Sequence, residues 1–370
     1  MDIVINANNF PIYSIGGGYE FEHLFLPPDG ARKRFPIGWN GHGRYTKGSL
    51  LIWKNGKSLA PGSDFSEEDN GVFFGFTEAP TAETTYTDYL IGYLPRAEDL
   101  AFATGAKGSE YEGEEYFLFP NWLEAPGVST AFWIGKYQAA RNTSTSTAEG
   151  TGATPVSKKG VVPWCSLTFT AGSAAATSKG DGFRLVRNRE WTNIAMWCRA
   201  MGLYPAGNSA SGVDGMGVAG TPDTSCGGRC LTGTGPVTWN HNLQAGGIAD
   251  LVGNVWEMID GVQLVNSVLW LFDSENKLQS TGINPCFGTS GGSFSLIRTD
   301  DALKYDAIPA SGTGAAVLGA DGFWFADGTR ICYRGGGWNY GAQCGLFSFG
   351  VDTAASDAYA SIGFRLGKSI

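Results

Sequence analysis

The chain closes on YRGGGWNYGAQCGLFSFGVDTAASDAYASIGFRLGKSI, residues 333–370, and this stretch limits the fold more than any other. Three consecutive glycines before a tryptophan argue against a helix, because glycine loses the most backbone freedom on being fixed. The residues after Cys344 alternate instead. Phe347, Phe349 and Val351 share one parity, and Ser348, Gly350 and Asp352 share the other. Successive side chains of an extended strand point to opposite faces, so one face is expected to be buried and the other free. In DAYASI, Asp357, Tyr359 and Ser361 alternate in the same way with Ala358, Ala360 and Ile362. Such a segment needs a rigid frame behind it.

Composition supplies that frame. Glycine accounts for 55 of 370 residues, aromatic residues for 13%, and charged residues for only 16%, against about 25% in an average soluble protein. Turns on an aromatic scaffold fit these values and a helical bundle does not. The net charge of −9 disfavours phosphate contacts, so no nucleic-acid partner is expected. No apolar run reaches the ~18 residues of a membrane span, so no membrane insertion is expected. The start, MDIVINANNFPIYSIGGG, has neither the basic nor the long apolar region of a signal peptide. A protein acting outside the cell would then leave by another route, for example in a virion.

The seven cysteines, Cys165, Cys198, Cys226, Cys230, Cys286, Cys332 and Cys344, are too sparse for a disulfide framework. Cys226 and Cys230 in CGGRC read as reduced thiols or as one small loop disulfide. His23, His42 and His241 have no second ligand pair nearby, so no metal site is expected. The string GMGVAG, with Gly215, Gly217 and Gly220, matches a nucleotide-loop pattern literally. Its flanks are neither strand nor helix, so it reads as a surface loop.

The organisation is read as two units. Residues 1–105 form an N-terminal β-rich module, a small antiparallel sandwich. Within it GSLLIWKNGKSL is a hairpin turning at Asn55-Gly56, a second turn falls at Asn70-Gly71, and YTDYLIGYL is a further aromatic strand. The order of these motifs resembles small modules of phage tail and fibre proteins. Residues 94–115 read as a linker. The second unit, 116–370, contains a low-complexity loop at 142–159, expected to be exposed and mobile. It also contains one clear helix in NREWTNIAMWCRAMG, with Trp191, Ile194, Ala195, Cys198 and Met201 at helical spacing, Asn188 as N-cap and Gly202 as stop. The 205–236 segment reads as glycine-rich loop.

Four blocks occur in order: STAFWIGKYQAARNT, GFRLVRNREWTNIAMW, IADLVGNVWEMIDG, and the tail from Tyr333-Arg334-Gly335-Gly336 to Ile362-Gly363-Phe364-Arg365. Together they resemble the C-type-lectin-like fold shared by formylglycine-generating enzymes and by the variable proteins of diversity-generating retroelements. The fold class is accordingly α+β, a C-type-lectin-like domain behind the sandwich. Gly253-Asn254 permits a tight turn into an aromatic strand. Trp256 and Trp338 read as core. Glu257 reads as a buried acceptor for backbone donors or for an arginine such as Arg334 or Arg365.

The resemblance divides between an enzyme and a binding protein. The enzyme branch places two reactive cysteines in the closing segment, and by count these positions fall on Tyr340 and Gly345. Only Cys344 lies in that segment and Cys332 precedes the glycines, so an oxidase lacks its thiol pair. The closing segment is instead similar to the variable region of receptor-binding proteins typified by a phage tropism determinant, here 334–365. That resemblance implies a hypervariable, ligand-binding set: Asn339, Tyr340, Gln343, Ser348, Gly350, Asp352, Thr353, Asp357, Tyr359 and Ser361. Changing the two adenines of AAC or AAT can give every residue type in this set except the glutamine. Tyr340 and Tyr359 are the expected hot spots, with Asp352 and Asp357 setting charge preference.

The expected partner is a protein or glycan on a target cell surface. A homotrimer is expected, attached through the N-terminal module, on a virion or a cell surface. No enzyme activity and no cofactor are expected. A structural calcium ion stays open, although no calcium-ligand motif is present. A conventional glycan-binding lectin is the third alternative.

Overall fold

The computed structural model describes residues 18–370. Residues 1–17, which hold nearly all of the stretch read for a signal peptide and the start of the N-terminal module, lie outside the described residues. The described part of that module builds two small antiparallel sheets. One orders its strands Glu20–His23, Tyr89–Tyr93, Leu51–Lys54 and Lys57–Ser58, and the other Arg34–Pro36, Phe73–Phe76 and Phe65–Glu67. The hairpin turns where the sequence places it. Asn55 and Gly56 have φ of 48° and 77°, the paired left-handed geometry of a two-residue hairpin turn. At the second turn the Asn70 side chain accepts from the N–H groups of Val72 and Phe73 at 2.8 and 3.0 Å.

The expected linker holds a helix, α1 (Ala97–Thr104). Its signal is weak because it is only eight residues long and three of its five apolar residues are alanines, but it is firmly docked. Asp99 pairs with Arg44 at 2.7 Å, and Phe102 stacks on Tyr116 with ring centroids 4.5 Å apart.

Beyond α1, a four-stranded sheet orders Arg184–Leu185, Leu366–Ser369, Ala131–Gly135 and Tyr116–Pro120, so the chain's end lies beside its early strands. The larger sheet runs Leu278–Ser280, Val268–Phe272, Trp256–Val265, Arg330–Gly335, Gly345–Val351, Gly322–Phe325 and Gly292–Ser293. Ile362–Phe364 pairs in parallel with Trp256–Met258. Helix α2 spans Phe169–Ser178 and α3 spans Asn188–Met201. The fold is mostly β with few helices.

Helix α3 buries Trp191, Ile194, Ala195 and Cys198, as its spacing predicts, and stops at Gly202 with φ 67°. The cap differs by one residue. Arg187 stands at N-cap, and the Asn188 side chain turns inward to donate to the Asp306 carbonyl at 2.8 Å. On the helix's other side the Trp197 indole donates to the Phe25 carbonyl at 2.8 Å, stacks on Phe25 and meets Trp39 edge-on. The N-terminal sheets and the rest of the chain therefore share one aromatic core.

The 142–159 loop is largely exposed, as expected, and is braced by local hydrogen bonds. It closes a two-stranded pair, Ala140–Arg141 with Pro155–Val156. Thr143 Oγ1 accepts from the N–H groups of Thr151 and Gly152, and Ser144 Oγ donates to the Val162 carbonyl. The small hydroxyl residues that read as low complexity serve as local cross-braces.

Candidate binding face

Two buried arginines fix the backbone of the closing segment. Arg334 is fully buried and donates to Asn188 Oδ1 at 2.8 Å and to the carbonyls of Asp306, Ala307 and Phe347. Its guanidinium also lies 4.3 Å from the Phe349 ring centroid. Burial lowers its pKa to about 10. Arg365 donates to both Glu257 oxygens, at 2.7 and 2.9 Å, and to the carbonyls of Gly135 and Ala249. The arginines of the R-G-G and I-G-F-R motifs are thus internal struts. Glu257 is the buried acceptor its neighbours imply, paired with Arg365.

The glycine-rich turn works as its sequence requires. Gly253 and Asn254 have φ of 71° and 61°. Asn254 then ties together distant parts of the chain: its amide donates to Gln138 Oε1 and to the Cys230 carbonyl, while its oxygen accepts from Cys230 N–H. Its carbonyl accepts from Trp338 N–H at 3.0 Å, and two residues on, Trp256 N–H donates to the Ser361 carbonyl at 2.9 Å. The 338–343 turn and the 354–361 loop therefore flank the same short stretch.

Of the ten sequence-derived positions, the structure separates outward from inward. Asn339 and Tyr359 are exposed, Tyr359 at 49%. Tyr340, Gln343, Asp352, Asp357 and Ser361 are half-buried. Ser348, Gly350 and Thr353 are buried, which corrects the expectation that strand parity leaves Ser348 and Gly350 free and that the resemblance leaves Thr353 so. The strand Gly345–Val351 is covered on both faces. Tyr333, on the neighbouring strand, lays its ring across Gly350, so a Cβ there would come within 2.1 Å of the ring. The Tyr333 hydroxyl hydrogen-bonds to Asp352 and accepts from Thr353 Oγ1. Ser348 Oγ donates to the Gln343 carbonyl at 2.6 Å. Burial pushes the Asp352 carboxyl above its ordinary value.

Residues that carry no signal in the sequence complete the face. Trp324, half-buried, meets Trp256 and Tyr340 edge-on at 5.0 and 5.1 Å, and Trp256 in turn meets Tyr340 and Tyr333 at 5.4 and 4.9 Å. Trp256 is core, as expected, whereas Trp338 is half-buried at the edge of the face. The 205–236 loop is pinned here. Arg229 pairs with Asp223 at 2.6 Å, both buried, and donates to the Ala360 carbonyl. The GMGVAG string lies in this loop without a flanking strand or helix. No short-range pattern marks Trp324 or Arg229, because the parts of the face they meet are far away in sequence.

All seven cysteines are free, so Cys226 and Cys230 form no disulfide. Burial pushes the Cys332 and Cys344 thiols up to about 12, away from the thiolate that nucleophilic chemistry requires. Among the described residues no group of three or more His, Cys, Asp or Glu side chains could hold a metal ion. No helix among them is long and apolar enough to cross a membrane.

No protein-family model and no curated protein matches this chain. Among solved structures, it is similar to the Major Tropism Determinant P3c variant, at 15% identity over 98% of this chain and 89% of that one, with a TM-score of 0.33. PvdO from Pseudomonas aeruginosa is similar at 13% identity over 70% of this chain and 92% of that one, TM-score 0.33. Treponema denticola variable protein 1 is similar at 16% identity over 65% of this chain and 85% of that one, TM-score 0.29. The tropism determinant and the variable protein are the kinds of protein that the resemblance of the closing segment names.

Proposed function

We propose that this chain is a receptor-binding protein that presents interchangeable side chains of residues 334–365 to a target on a host surface. One observation carries the reading: the segment's backbone is locked from behind by Arg334 and Arg365 while Asn339, Tyr340, Gln343, Asp357, Tyr359 and Ser361 reach the surface. A backbone ordered before binding keeps the ordering cost low. Its exposed side chains, those of Asn339 and Tyr359, can be exchanged within about ±0.5 kcal/mol of stability. Tyr359 supplies a large amphipathic contact at little entropic cost. Ser348, Gly350 and Thr353 act behind the face as support, and Asp352 is held by Tyr333. The oxidase reading loses support because its chemistry needs an accessible thiolate and burial raises the thiols of the closing segment.

In this reading residues 1–105 attach the protein to a virion and 116–370 form the C-type-lectin-like display domain. The assembly is a homotrimer, so that several weak faces add avidity. The partner is a protein or a glycan of the target cell. The deciding experiment is to sequence the encoding locus. A second, near-identical copy of codons 334–365, differing mainly at adenines, is the expected result. A locus without that copy removes the retroelement from the reading.

A further inference from the structure

A second concavity lies outside the closing segment. Its volume is about 480 Å³, within the ~300–1,000 Å³ range of ligand pockets. Three stretches of chain line it, 284–287, 298–300 and 309–313. Its walls are set by construction. Pro285 and Pro309 are buried at its sides, Asn284 Oδ1 accepts from Cys286 N–H at 2.9 Å, and the strand Leu296–Ile297 is paired on both sides, with Pro309–Ala310 and Ala315–Ala316.

The polar groups in this pocket are a selective set. Arg298 Nε donates to Asp300 Oδ2 at 3.0 Å, which is the guanidinium's one hydrogen bond to a described residue. The Asn284 amide nitrogen and the hydroxyls of Thr299, Ser311 and Thr313 likewise have no partner among the described residues, so water or a ligand serves them. Arg298 and Asp300 balance in charge, so the pocket selects neither an anion nor a cation. It offers neutral and paired donors and acceptors beside the apolar surfaces of Phe287 and the prolines. That combination fits a molecule with hydroxyls around its rim and C–H groups on its faces. From Phe287 the chain runs on to Gly291, whose carbonyl accepts from Gln343 Nε2 at 2.6 Å. One wall of the pocket is thus four residues along the chain from a contact with the proposed face.

We infer that this pocket binds a neutral sugar residue of a target glycan, as a fixed subsite beside the display face. The subsite does not depend on the display reading, because every pocket residue lies outside 334–365. A fixed sugar subsite would supply the same contact whatever side chains the face presents, and two linked contacts exceed either alone.

The test uses the full chain with D-glucose, D-galactose, D-mannose and N-acetyl-D-glucosamine, read by saturation-transfer NMR and calorimetry. At least one sugar should bind with a Kd on the order of 1 mM. Arg298→Ala and Asn284→Ala, both at solvent-accessible side chains, should each weaken it at least about tenfold without shifting the melting temperature. Tyr359→Ala should leave it within about twofold. Absence of saturation transfer from all four sugars overturns the inference. So does binding that Tyr359→Ala removes and Arg298→Ala preserves, since the sugar would then sit on the display face.

Discussion

Arg365 and Glu257 form a two-point ion pair at 2.7 and 2.9 Å, with the side chains 0% and 1% exposed. One comes from the chain's last motif and the other from the strand after the Gly253-Asn254 turn, 108 residues apart. Removing one partner of such a pair leaves the other as an uncompensated buried charge. Glu257→Ala should therefore cost about 3–5 kcal/mol in urea unfolding. A loss below about 1 kcal/mol would show that the carbonyls of Gly135 and Ala249 alone satisfy the guanidinium.

Gly350 and Asn339 belong to the same sequence-derived set and should behave in opposite ways. Alanine at 350 drives a methyl into the Tyr333 ring, which Asp352, Thr353 and Trp256 hold in place. Gly350→Ala should destabilise by about 1–3 kcal/mol, the usual cost of overpacking. Asn339→Ala, at an exposed position, should stay within about ±0.5 kcal/mol. Thermal melts of the two variants decide it, and equal effects would mean the inward and outward positions are misassigned.

That contrast marks how far the sequence could be read. The Asn55-Gly56 hairpin, the Gly253-Asn254 turn and helix α3 were legible because each depends on local chemistry: positive φ, or one apolar stripe. The buried-acceptor role of Glu257 is legible from a carboxylate set between tryptophan and methionine, but which of Arg334 and Arg365 it meets is not. Strand parity failed at Ser348 and Gly350 because it presumes one solvent face. The second face is covered by Tyr333, a residue of another strand whose ring direction no local pattern encodes. Helix α1 has no local signature because tertiary contacts through Asp99 and Phe102 hold it, not its own periodicity.

Glu22 should make stability depend on pH. Its carboxylate is buried, accepting from the N–H groups of Gly38 and Trp39 at 2.8 and 3.1 Å, and desolvation raises its pKa to about 8. A carboxyl raised on folding binds more protons in the native state, so its contribution is complete below the unfolded value of 4.5 and is lost as pH rises through about 8. Stability measured by urea unfolding should fall between about pH 4.5 and about pH 8. Glu22→Gln, which cannot ionise, should flatten that interval whatever its effect at a single pH. An equal slope in both proteins would place the titrating group elsewhere.

Tyr359 and Tyr340 separate recognition from support. Tyr359 is 49% exposed, and its backbone carbonyl, not its ring, is what the Ser166 N–H uses. Tyr340 packs its ring edge-on against Trp256 and Trp324. Tyr359→Ala should leave the melting temperature nearly unchanged while weakening adsorption to the cells that the parent protein adheres to by at least about tenfold, the mark of a hot spot. Tyr340→Ala should weaken adsorption too, and should also destabilise by about 1 kcal/mol or more, since aromatic pairs contribute about 0.5–1.5 kcal/mol beyond the area they bury. If Tyr359→Ala lowers stability as much as Tyr340→Ala does, Tyr359 is part of the scaffold. If it leaves both stability and adsorption intact, the recognised surface lies elsewhere on the chain.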